Sequence, residues 1–236
     1  MPSSAPVSAR GVGRSVGLLL PAQFATTYVA QLVLLARVSA PPGFLANAAG
    51  HALQVRIAVL LWFAAGAATL CIAIVALPVF RQRSERMALL FLALAVVGLC
   101  TLAADNMGIL TMLSLSQESA KAGAASGQFE PLWTTIVAAR LAAHFTNLLF
   151  GGIGTFVLDL MLFRFALVPR VLAGAAAATV PFQTVAVTLW LLGYPFQFGL
   201  LTPTGVMQLL LVAWLIAKGF EERPDALARA TVPEFA

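Results

Sequence analysis

The stretch VRIAVLLWFAAGAATLCIAIVALPVF, residues Val55–Phe80, holds one charged side chain, Arg56, near its start. A helix rises about 1.5 Å per residue, and about 20 mostly apolar residues cross the hydrocarbon core of a bilayer. The run is therefore long enough to span a membrane, and its near-continuous greasiness fits burial in lipid. The charged turn Arg81-Gln82-Arg83-Ser84-Glu85-Arg86 closes it, and a second apolar run, Met87–Met112, follows at once. This pattern reads as a hairpin of transmembrane helices. Working outward, four more segments qualify: Val16–Ala36 before it, then Leu132–Phe163, Val171–Tyr194 and Thr204–Phe220. The predicted fold is an all-α polytopic membrane bundle of six transmembrane helices.

Composition agrees with that reading. The 236 residues are 61% hydrophobic and 10% charged, with a mean hydropathy of +0.94. Soluble domains carry about 25% charged residues, so this chain could not coat a water-facing surface. Disorder and a disulfide scaffold are excluded on the same ground. The net charge of +5 does not signal nucleic acid, because the arginines are scattered at helix ends. They instead follow the rule that cytoplasmic loops are rich in Lys and Arg. Arg10, Arg14, Arg81, Arg83, Arg86, Arg164, Arg170, Lys218, Arg223 and Arg229 fall on one side of a six-span topology. Both termini are thus expected in the cytoplasm, in a multi-pass protein of the inner (plasma) membrane. The expected division is a cytoplasmic segment 1–15, a membrane domain 16–220 and a polar cytoplasmic tail 221–236. The first helix, preceded by Arg10 and Arg14, is read as uncleaved. The loop Ser114–Pro131, rich in Ser, Gly and Ala, is read as mobile.

Polar groups inside spans are costly and usually face the bundle interior. Counted along the helices, Arg56 lies about 37 Å from Arg81, and Asp105 about 28 Å beyond Arg86. His144 and Arg140 lie about 30 and 36 Å from Arg164. These residues, with Gln31 and Asn106, reach a similar level toward the external end. Arg140, His144, Asn147, Gly151 and Gly154 recur at helical spacing on one face. Arg56, Asp105, Asn106, Arg140, His144, Asn147 and Gln31 are therefore the candidate ligand-binding residues, with Asp105 expected to pair with Arg56 or Arg140. One acid against two arginines suits a small anionic or lipid-like ligand. The competing account is a structural network with the arginines snorkelling to the outer headgroups.

Other features carry less. Asp159 is expected to pair with Arg164 or Arg86. Gln183, Thr184 and Gln208 line a cavity or bond across helices. Cys71 and Cys100 read as apolar packing residues, and His51 as a flank of the second helix. Val55-Arg56-Ile57-Ala58 and Ala139-Arg140-Leu141-Ala142 form a faint internal echo. No HExxH, GxSxG, Walker lysine loop or acidic metal cluster occurs, so no catalytic residue, metal or cofactor is assigned.

Arg56 opening the second helix, His144 early in the fourth, and the turn Phe163-Arg164 … Pro169-Arg170-Val171-Leu172 carry a family likeness. The chain resembles a bacterial multi-pass membrane-protein family of the type called domain of unknown function 4386, over about Arg14 to Gly219. Phe165 and Ala173 stand where that family favours serine and glycine. The resemblance implies six to seven membrane helices and no established activity. The expected function is binding or sensing of a small or lipid-like ligand in a polar pocket toward the external face. A small-solute transporter and an assembly partner of another membrane protein are the alternatives.

Overall fold

The structure is a computed structural model that describes residues 8–221. The tail expected at 221–236 lies outside the described residues from position 222 onward, as do positions 1–7 of the N-terminal segment. Among the described residues there is no strand. The elements are α1 (Ala9–Tyr28), continued through a π-helical turn (Val29–Leu34) into α2 (Leu35–Ser39), the short α3 (Phe44–Asn47), α4 (Ala52–Arg81), α5 (Glu85–Ala122), α6 (Glu130–Arg164), α7 (Arg170–Leu191) and α8 (Thr202–Lys218). Six helical stretches are long and apolar enough to cross a membrane.

Local chemistry sets several boundaries. Ser8 caps α1 by accepting from the Gly11 N–H at 3.3 Å. Ser84 caps α5, with Glu85 favourably placed in the first turn. Gly219 ends α8 with φ +71°, a conformation that suits glycine. The expected mobile loop Ser114–Pro131 is corrected by the structure. Residues through Ala122 continue α5, Gly123–Phe129 form a 3-10 segment, and α6 starts at Glu130. The reason is tertiary: Ser116 is buried, and its hydroxyl accepts from the Ala49 N–H of the chain entering α4, at 2.9 Å. Thus small polar residues that look loop-like in sequence make a helix face against a neighbour.

The spanning helices form a closed ring in which each packs on its sequence neighbour and α8 returns to α1. Glycines close it. A Cβ at Gly13 would lie 2.1 Å from the Phe220 backbone nitrogen, and one at Gly17 would lie 2.8 Å from the Ile216 nitrogen. This Gly-x-x-x-Gly pair lets backbones touch, which matters in lipid because helix association there rests on close packing. Inside the ring, Phe80 packs against Phe91 at 6.0 Å and Phe220 at 5.9 Å between ring centroids. Val16, Ile72, Met161, Leu162, Leu211 and Leu215 join the same core. The outer surface stays apolar: Leu53, Leu60, Ile74 and Leu209 are exposed, as expected of side chains that face lipid. Cys71 and Cys100 are exposed there too, which corrects their reading as packing residues.

Candidate functional site

Two antiparallel helices, α5 and α6, build the site. Three contacts fix their register. A Cβ at Gly154 would meet the Leu94 Cβ at 3.9 Å, and one at Gly108 would meet the Arg140 Cβ at 2.8 Å. Between them, the Thr101 hydroxyl donates to Asn147 Oδ1 at 3.1 Å. The positions 94, 101 and 108 face 154, 147 and 140, a seven-residue repeat like that of a coiled-coil seam. The stripe Arg140, His144, Asn147, Gly154 thus faces α5. Gly151, on the same stripe, is exposed. Gly108 is the element that makes room for the Arg140 stem.

Asp105 is 4% exposed and sits in the middle of this seam. Its Oδ1 accepts from Arg140 Nε at 2.7 Å, and its Oδ2 is 2.7 Å from His144 Nδ1. An ionised carboxylate only accepts, so with Asp105 ionised His144 Nδ1 is the donor of this bond. Both carboxylate oxygens are committed to holding the guanidinium and the imidazole. Neither Nη group of Arg140 has a hydrogen-bond partner among the described residues, and neither has His144 Nε2. The Arg140 and His144 side chains remain 19% and 35% exposed. Next to Asp105, Asn106 is fully buried, and its amide oxygen and nitrogen both lack partners among the described residues. Such a group costs stability unless something else satisfies it.

An aromatic wall adjoins the pair. The His144 ring meets Phe145 edge-on at 5.5 Å, and Phe145 stacks on Trp190 of α7 at 3.8 Å. Phe196 packs against Phe145 at 4.9 Å. The site therefore combines a polar donor set with an apolar flank in which Phe145 is buried and Trp190 and Phe196 are partly exposed.

Asp105, Arg140 and His144 come together as a hydrogen-bonded triad, Asn106 lies beside it, and Asn147 is one helical turn from His144. Two expected members stay apart. Arg56 is exposed because Val55, Ala58 and Val59 occupy the buried face of α4 and turn it outward. Gln31 is exposed in the π-helical turn, where the small Ala30 takes the buried position instead. Of the two arginines that sequence offered Asp105, Arg140 is the partner.

Sequence reasoning also missed or misassigned contacts elsewhere. Asp159 is fully buried and accepts from Gln208 Nε2 of α8 at 2.9 Å, rather than pairing with Arg164 or Arg86. Gln183 of α7 donates to the Leu148 carbonyl of α6 at 3.0 Å. Gly152 makes this possible, since a Cβ there would lie 3.1 Å from the Gln183 amide nitrogen. His51 flanks α4 as expected, with Nδ1 2.9 Å from the Asn47 carbonyl oxygen. The spacing of Gly108 from Asp105 was the available signal for a close helix contact at the site.

The domain of unknown function DUF4386 matches residues 15–219. No curated protein and no solved structure matches the chain. With most of its length covered, the chain belongs to the DUF4386 family.

Proposed function

We propose that this member of the DUF4386 family binds or senses a small anionic or lipid-like ligand at the outer part of the α5–α6 seam. One observation carries the proposal: Asp105 spends both oxygens on Arg140 and His144, leaving the Arg140 Nη groups and His144 Nε2 without partners among the described residues, on side chains that are partly exposed. In this reading Asp105 is a positioning residue. It holds a planar guanidinium and an imidazole at fixed orientation, a donor set that matches a carboxylate or phosphate. The Phe145–Trp190 stack supplies an apolar face for a chain or ring on the ligand. We further propose a location in the bacterial inner membrane with both termini cytoplasmic, on the distribution of the arginines.

The test is a thermal-stability and binding screen of purified protein against carboxylates, phosphates and anionic lipids. Wild type should gain stability with at least one class, and His144→Ala and Arg140→Gln should lose that gain while still inserting. Equal responses of wild type and both variants across the panel would remove the proposal. Flux of the same compound into proteoliposomes would make the site part of a transport route. Stoichiometric co-purification of another membrane protein without any ligand response would instead favour an assembly role.

A further inference from the structure

A basic concavity lies at the opposite end of the bundle from the triad, where the first and last described turns meet. It is a cleft of about 470 Å³ whose lining includes Arg10 and Arg14 of α1, Trp214 and Lys218 of α8, and Glu221. The close α1–α8 approach at Gly13 and Gly17 creates it. That approach sets the N-terminal turns of α1 beside the C-terminal turns of α8, so cations from two distant parts of the sequence line one hollow. Arg14 and Lys218 have no acidic partner among the described residues. Among the described residues Arg14 makes one hydrogen bond, a long one, 3.5 Å from its Nη2 to the Ala217 carbonyl. Trp214 also lines the cleft, and its buried indole N–H has no acceptor among the described residues.

Helix dipoles do not account for this grouping. The carbonyl end of α8 presents about half a negative charge, and the first turn of α1, which contains no acidic residue, presents about half a positive one. The two ends largely cancel, while Arg14 and Lys218 line the cleft with no acidic partner among the described residues. Topology does not account for it either. The inside rule asks only that cations lie on this side, as the exposed Arg83 does at the α4–α5 turn. Basic hollows between membrane helices on this side are suited to phosphate-bearing headgroups.

We propose that this cleft is a phosphate-binding site, with Arg14 and Lys218 as the principal contacts and Arg10 and Trp214 beside them. The phosphate is supplied by an anionic lipid headgroup or by a free phosphate. This site is independent of the Asp105 triad and survives if that reading fails.

The experiment uses the full chain in uncharged detergent. Thermal stability and native mass spectrometry are recorded with phosphatidylglycerol, with phosphatidylcholine, and with inorganic phosphate. Wild type should be stabilised by phosphatidylglycerol and retain it as an adduct, and phosphatidylcholine should do little. Affinity should drop about tenfold or more in Lys218→Gln and in Arg14→Gln, and stay near wild type in Arg83→Gln and in Arg14→Lys. Stabilisation by inorganic phosphate without retained lipid, lost in the same two variants, supports the site with a soluble source. Equal lipid retention by Lys218→Gln and Arg83→Gln shows a diffuse charge effect and overturns the proposal, as does no response to either source. Lys218 is exposed at a helix end, so its variant keeps the test valid if Arg14→Gln fails to fold.

Discussion

Asp105 carries the heaviest electrostatic demand in the outer half of the molecule. Its removal leaves the Arg140 guanidinium in a largely buried seam with no counter-charge. Breaking such a pair from one side typically costs about 3–5 kcal/mol, so Asp105→Ala should lower the melting temperature far more than His144→Ala. If the two variants melt alike, the carboxylate is not what holds the seam. His144 makes a separate prediction: His144→Phe keeps a ring beside Phe145 but removes both ring nitrogens, so ligand affinity at this site should fall while the melt changes less than in Asp105→Ala. Unchanged affinity in His144→Phe would take the imidazole out of the site. Asp159 offers a third case at this scale. Gln208→Leu strips its one hydrogen bond among the described residues and leaves a buried carboxyl without a partner, a loss of about 1–3 kcal/mol. Asp159→Asn is the informative companion, since an amide keeps the shape and can still bond Gln208. Gln208→Leu should therefore melt below Asp159→Asn, and the opposite order would deny the Gln208 bond its role.

At the scale of elements, glycines decide which helices touch. Gly13 and Gly17 let α1 meet α8, and Gly108 lets α5 meet the Arg140 stem. Gly13→Leu should separate α1 from α8, with an overpacking cost of about 1–3 kcal/mol and loss of the basic cleft. Gly11→Ala is the control, because a Cβ there meets only Ser8 atoms at 3.9 Å. Similar stability of the two variants in a thermal melt would refute the closure role. The Thr101–Asn147 bond is a smaller contributor. Hydrogen bonds between membrane helices average about 0.6 kcal/mol, so Thr101→Val should barely move the melt. The helices themselves were legible in sequence, since long apolar runs and charged turns need no knowledge of neighbours. The outer turns of α5 were not. Ser114–Ala122 looks like loop by composition, and only the docking of Ala49 on Ser116 gives its polar face a partner.

For the molecule as a whole, six spans put the two ends of the membrane domain on one side, and we propose from the arginine bias that this side is the cytoplasm. In a Cys71→Ala, Cys100→Ala background, an impermeant maleimide should label Gln128→Cys from outside and Gln82→Cys only after permeabilisation. The reverse pattern would invert the orientation. Sequence by itself determined the class, the number of spans and the depth of the polar groups, because hydropathy and helical rise are properties of one helix at a time. It could not choose between Arg56 and Arg140 for Asp105, as both lie at the right level. That choice rests on helix rotation. Val55 and Ala58 turn Arg56 out of α4, while Gly108 draws Arg140 onto α5. Only tertiary packing decided it, along with the meeting of α1 and α8 that gathers Arg14 and Lys218 around one cleft.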